Sequence, residues 1–185
     1  MNGAGTDPLL LGLAAGDERA FAALYDRYAR RLYRAALGLL GRREDAEDVV
    51  QDVFLATVRA HESLREVRDL TTYLFAALRR AAGRCAQRQA RAPKASETTA
   101  EDAVAPVERA AEDHPQWHRL QQAIRALPNE QREVLTLKID GELTFAQIAE
   151  VLGVSSGTAA SRYRYALKKL RTSLAGRKIS LESSR

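Results

Sequence analysis

The sequence changes character between residues 91 and 115. Ala, Glu and Thr dominate there, Pro93, Pro106 and Pro115 interrupt it, and large apolar side chains are few. Such a stretch buries too little apolar surface to offset the entropy of ordering and reads as a flexible tether. It divides the 185-residue chain into two short segments. Each is predicted to build a small core of its own.

The N-terminal segment reads as four helices. Pro8–Ala15 follows an Asp7 N-cap, with Pro8 at the first helical position. Asp17–Leu40 carries Phe21, Leu24, Tyr25, Tyr28, Leu32, Ala36 and Leu39 at helical spacing, and Gly41 ends it. A third helix, from about Arg43 to Ala60, repeats Ala46, Val49, Val50, Val53, Phe54, Thr57 and Val58 at steps of three and four. Its opposite face carries Asp45, Glu47, Asp48, Gln51 and Asp52. A polar loop is expected over His61–Asp69, then a fourth helix over Leu70–Gln89. Leu70, Tyr73, Leu74, Ala77 and Leu78 form its apolar side, with Arg79, Arg80, Arg84 and Arg88 outside.

The C-terminal segment starts again at Trp117. Trp117, Leu120, Ile124 and Leu127 share one face of a helix that Pro128 ends, and Glu130–Ile139 forms the next, closed by an Asp140-Gly141 turn. Residues Leu143–Arg162 then read as a helix-turn-helix. Thr144 and Gln147 fit a capping box, Ala149 is small where two helices cross, and Gly153 suits a sharp turn with positive φ. Ser155 or Ser156 caps a last helix that runs to about Leu174. Ala159, Tyr163, Ala166, Leu167 and Leu170 form its buried side. Ser156, Thr158, Ala160, Ser161, Arg162, Arg164, Tyr165 and Lys168 face out, a mix of short and cationic side chains suited to a DNA major groove. The tail from Gly176 is expected to fray.

Charge supports that placement. Residues 1–90 carry 14 Lys/Arg against 12 Asp/Glu, residues 91–115 carry 3 against 6, and residues 116–185 carry 12 against 6. The basic excess lies in the C-terminal segment, where a polyanion would bind. Cys85 is the single cysteine and is read as a packed helix residue. His61, His114 and His118 lack the spacing of metal ligands, so no metal or other cofactor is expected. The acidic residues near Asp48 lie on an open helix face with no phosphate loop or nucleophile motif beside them, so no catalysis is expected. No apolar run approaches the ~20 residues of a membrane span, and Leu9-Leu10-Leu11 follows no basic segment. A cytoplasmic protein is expected.

Two motifs in order carry a family resemblance. Leu127-Pro128-Asn129-Glu130-Gln131-Arg132-Glu133-Val134, then Phe145–Leu152, then Gly157-Thr158-Ala159-Ala160-Ser161-Arg162, resembles region 4 of the sigma-70 family of RNA polymerase factors. Glu44–Leu55 resembles the polymerase-binding helix of that family's region 2. Two such motifs joined by a tether resemble the small extracytoplasmic-function (ECF) group. The fold expected is all-α, with two small helical domains: region 2 over residues 1–90, a linker over 91–115, region 4 over 116–176, and a tail over 177–185.

The resemblance implies roles. Asp45, Asp48, Gln51, Asp52 and Leu55 would meet the β′ clamp helices of core RNA polymerase, and region 4 would meet the β flap. Tyr73, Phe75, Arg79, Arg80, Arg84 and Arg88 would hold the −10 element, the aromatics beside a base pocket and the arginines on phosphates. Ser156, Thr158, Ser161, Arg162, Arg164, Tyr165 and Lys168 would meet the −35 element. The chain departs from many relatives at Tyr73-Leu74, where they have Trp-Leu, and at Leu78-Arg79-Arg80 and Arg84, where they have fewer arginines. Ala160 stands where many carry a lysine. An anti-sigma factor is a common partner in the family, and no small-molecule substrate is implied. A stand-alone helix-turn-helix regulator and a degenerate sigma paralogue remain the alternative readings.

Overall fold

The computed structural model describes residues 7–91 and 115–182, with side chains described over 7–91 and 119–175. Most of the expected tether, and the side chain of Trp117, therefore lie outside the described residues. All regular structure among the described residues is helical: α1 (Pro8–Ala14), α2 (Glu18–Leu40), α3 (Arg43–Arg59), a 3-10 turn (His61–Glu66), α4 (Leu70–Arg91), α5 (Pro115–Arg125), α6 (Asn129–Ile139), α7 (Phe145–Leu152) and α8 (Ser156–Glu182).

Local chemistry sets these boundaries. The Asp7 carboxylate accepts from the Leu9 amide and caps α1 over its first-turn proline. Asp17 caps α2 through the Arg19 amide, and Gly41 ends α2 at φ 77°, where a Cβ would be strained. Thr144 and Gln147 close a complete capping box on α7, and Gly153 ends that helix at φ 67°. Ser155 Oγ accepts from the Thr158 amide at 3.0 Å and so caps α8.

Several expectations change. The 61–69 stretch is not a plain loop: its 3-10 turn buries Leu64 completely and packs against α1. Tyr25 and Val58, read as core positions, are 59% and 45% exposed. Each sits at the margin of its helix's apolar stripe, where one residue of drift turns a side chain outward. Helix α8 continues to Glu182, beyond the expected end near Leu174.

The largest departure concerns the cores. One contiguous cluster runs from Leu13, Leu24, Leu32, Val49, Leu74 and Leu78 into Val134, Leu137, Leu143, Ile148 and Val151 of α6 and α7. Among the described residues, only a small second cluster, Ala123, Leu127, Leu135, Ala166 and Leu170, belongs to the C-terminal helices alone. The two segments therefore do not build fully separate cores. Helices α6 and α7 span 11 and 8 residues. Such short helices offer little apolar area to each other; both pack on α8, and α6 packs on α2 and α7 on α4 as well.

Candidate functional site

Helix α3 is held by one face and free on the other. Ala46, Val49, Val50, Val53 and Thr57 are buried against α2 and α4, and Thr57 bonds the Val53 carbonyl at 2.8 Å instead of water. The helical period then leaves Asp48, Gln51, Asp52 and Leu55 exposed. Leu55 is 45% exposed, with Val58 one turn on. Half-buried Phe54 meets Tyr25 of α2 with ring centroids 5.1 Å apart. The result is an acidic strip with an apolar, aromatic rim. Tyr25 and Val58 were missed as surface residues because their helical spacing matched core positions.

Asp45 does not belong to that open strip. Its carboxylate turns toward α4, accepting from Gln89 Nε2 at 2.5 Å and from the Cys85 thiol at 3.7 Å, with Arg42 Nε at 3.6 Å. Burial pushes the Cys85 thiol above its ordinary range, and the Asp45 charge adds to that shift. Cys85 is buried, as expected of a packed residue.

Helix α4 divides its expected DNA-facing set. Arg79, Arg80, Arg84 and Arg88 are exposed, and Tyr73 is half-buried. Phe75 is fully buried. Its edge lies beside Gly141, whose missing Cβ would come within 2.9 Å of the ring, and the Arg31 guanidinium sits 5.7 Å from the ring centroid. This corrects the expectation of two exposed aromatics: helical register places Phe75 between Leu74 and Leu78 on the packed side. Arg79 Nε donates to Glu133 of α6 at 2.6 Å.

Asp69 precedes α4 and caps it, accepting from the Thr72 amide at 3.2 Å and hydroxyl at 3.0 Å. It also accepts from Gln147 Nε2 of α7 at 2.7 Å. Burial pushes this carboxyl upward, but the hydrogen bonds from Gln147 and Thr72 outweigh it and hold the group below its ordinary value.

Helix α8 presents Ser156, Thr158, Arg164, Tyr165 and Lys168 to solvent, with Tyr165 60% exposed. Ser161 and Arg162 are half-buried. Arg162 Nη2 lies 2.8 Å from Glu130 Oε2, while Arg164 Nη2 donates to Ser161 Oγ at 3.2 Å. The N-terminal half of α6 thus carries two carboxylates, each holding an arginine of a different helix: Glu133 on α4 and Glu130 on α8. Both stand in the Asn129–Glu133 run of the sequence, but their targets depend on helix placement. Tyr165 and Lys168 also line a groove with Ala123, Leu127 and Gln131. Among the described residues, no group of three His, Cys, Asp or Glu is placed to hold a metal. No described helix is long and apolar enough to cross a membrane.

Comparison with known proteins bears on both halves of this arrangement. Residues 24–92 match the family model for sigma-70 region 2, and residues 117–170 match sigma-70 region 4. The chain is 30% identical over 91% of its length to the ECF RNA polymerase sigma factor SigK of Mycobacterium bovis and Mycobacterium tuberculosis, covering 92% of that protein. It is 34% identical over 88% of its length to SigM of Mycobacterium tuberculosis, covering 81% of it. Its fold is similar to that of CnrH, solved in complex with the cytosolic domain of CnrY, with a TM-score of 0.68 at 24% identity, covering 91% of this chain and 96% of that one. It is also similar to the sigma factor RpoE of Bartonella quintana, solved with the anti-sigma factor NepR, with a TM-score of 0.65 at 20% identity, covering 85% and 98%.

Proposed function

This chain belongs to the ECF sigma factors of the sigma-70 family, and we propose that it binds core RNA polymerase and directs it to promoters, opening them for initiation. The family is not catalytic, so the work is done by binding surfaces. The observation that carries the reading is the free face of α3: Asp48, Gln51, Asp52 and Leu55 stay exposed while the opposite stripe is fully packed. That face supports docking on the β′ clamp helices, with acidic groups steering the encounter and Leu55, Val58, Phe54 and Tyr25 supplying apolar contact. Asp45, turned toward α4, acts by orienting α3.

The remaining assignments follow from which cations are exposed. Residues 1–90 form region 2, in which Arg79, Arg80, Arg84 and Arg88 hold phosphates of the −10 element and Tyr73 supplies a stacking surface. Binding energy, with no nucleotide hydrolysis, offsets the cost of unpairing. Phe75, buried on the packed side of the same helix, anchors α4 against Arg31 and Gly141. Residues 91–115 link this region to region 4 at 116–176, whose α8 reads the −35 element through Ser156, Thr158, Ser161, Arg162, Arg164, Tyr165 and Lys168, with residues 177–185 as a tail. Linking two weak DNA binders raises the effective concentration of the second once the first is engaged. Region 4 also meets the β flap. An anti-sigma factor is a further partner, since RpoE, of similar fold, is solved with NepR, and the setting is the cytoplasm, where core polymerase resides.

Run-off transcription tests the reading, with purified core polymerase, this protein and fragmented genomic DNA. Discrete starts that disappear without the protein are expected. Stable core binding with no starts would replace the reading with a degenerate paralogue. No core binding, with tight binding to duplex DNA alone, would replace it with a stand-alone regulator.

A further inference from the structure

The side chains that α8 offers to the −35 element are not equally free. Thr158 is engaged in the helix cap, its Oγ1 2.8 Å from Ser155 Oγ. Arg162 turns toward α6 and pairs with Glu130. Tyr165 and Lys168 line the groove beside Ala123 and Leu127. Arg164 is exposed, and its Nη2 donates to Ser161 Oγ at 3.2 Å. Among the described residues, no carboxylate pairs with Arg164.

Helical period groups Arg164 with small residues. Gly157, Ala160, Ser161 and Arg164 follow at steps of three and four along one face of α8, while buried Ala159, Ala166 and Leu170 hold the other side. A Cβ at Gly157 would meet only Ser155 Oγ, at 3.8 Å, an ordinary contact, and the position has no positive φ. Neither packing nor backbone conformation calls for glycine there, and glycine lowers helix propensity. Its missing side chain leaves room outside the helix, next to Ala160, where a partner surface can approach the backbone closely. Along the axis, Gly157 and Arg164 are about 10 Å apart at ~1.5 Å per residue, or about three base pairs of B-DNA.

We propose that Arg164, oriented by Ser161, selects a guanine within the −35 element, with Gly157 and Ala160 letting α8 seat deeply enough for that contact. The inference rests on the sigma-factor reading and names the base specificity of its α8 surface. In the major groove guanine presents two acceptors, N7 and O6, which the guanidinium fork matches with two N–H bonds. A free arginine on a helix surface samples many rotamers and loses that freedom on binding. The Ser161 hydroxyl accepts one Nη2 proton and narrows that sampling in advance. The other Nη2 proton and both Nη1 protons stay available for the base. Ser161 is thus a positioning residue, acting through Arg164.

The test counts bases. Holoenzyme made from purified core polymerase and the full chain transcribes promoter fragments whose −35 element is randomised, and the templates that yield starts are sequenced. Guanine is expected to be favoured about tenfold at one position, the scale of a bidentate arginine contact. Arg164→Ala and Arg164→Lys are both expected to erase that preference while other positions keep theirs, since lysine has no fork. Ser161→Ala is expected to reduce it about threefold at the same position, and Ser161→Thr, which keeps the hydroxyl, to restore it. Adding Ser161→Ala to Arg164→Ala is expected to change nothing further.

A guanine preference that survives Arg164→Ala overturns the assignment. So does a uniform loss over all templates, the pattern of a phosphate contact. Ser161→Ala that leaves the preference intact, or flattens a different position, overturns the positioning role. Absence of starts with the unsubstituted holoenzyme contradicts the sigma-factor reading on its own. The same count on duplexes retained by the free protein then decides the assignment, which stands if guanine is enriched and Arg164→Ala abolishes the enrichment, and falls otherwise.

Discussion

The N-terminal helices and the C-terminal helices reach stability by different routes. Helices α2, α3 and α4 span 23, 17 and 22 residues and enclose Leu24, Leu32, Val49, Leu74 and Leu78, each almost fully buried. Among the described residues, the C-terminal helices keep only a small cluster around Leu127, Leu135, Ala166 and Leu170 for themselves. Val134, Leu137, Leu143 and Ile148 join the N-terminal core instead. A long-helix bundle can present its functional face outward and stay rigid. A helix-turn-helix of short helices borrows its partner's apolar surface, which ties its placement to the position of the other half.

Charge reversal on the rigid half should have the largest effect. Asp48→Arg with Asp52→Arg is expected to abolish core-polymerase binding, a loss of several kcal/mol, while circular dichroism shows unchanged helix content. Retained binding would place the docking face elsewhere. Next, Ile148→Ala should cost about 2–5 kcal/mol, with α7 losing hydrogen-exchange protection while α2 keeps it. Equal loss in both helices would erase the contrast between the halves.

A smaller effect is expected from Arg162→Ala, which should weaken promoter recognition by about 1–3 kcal/mol and leave core binding intact. Parallel loss of both would contradict the division of labour. The smallest effect concerns acid. Asp69 is held below its ordinary 3.8, so the folded state favours its charged form. That contribution is fully present above pH 3.8 and disappears as pH falls through the lowered value. Asp69→Asn should therefore flatten the acid limb of the stability curve in denaturant melts between neutral pH and pH 3. An unchanged acid limb would remove Asp69 from the contact's electrostatics.

Much of the molecule was legible because its signals are local. Asp7, Thr144, Gln147, Gly41 and Gly153 mark helix ends through bonds and dihedrals within a few residues, and each performs the terminal role its position implies. The free face of α3 followed from helical period alone. Phe75 was misplaced because period gives a face but not what covers it: Gly141 and Arg31 arrive from elsewhere in the chain. Leu64 was hidden in a polar run for a related reason, since α1 covers it. Asp45 looked like its acidic neighbours until Gln89 and Cys85 came beside it from α4.

By itself, the sequence determined an all-helical chain in two parts, the caps that bound its helices, and the motifs that resemble sigma-70 regions 2 and 4. These properties depend on periodicity, backbone hydrogen bonding and charge, which act over a few residues. The tertiary structure decided that the two parts share a core, that Arg31 seats on the 140–142 turn, and that Glu130 and Glu133 each hold an arginine of a different helix. Those pairings join residues far apart in the chain, and only packing, which weighs all apolar surfaces at once, brings them into contact.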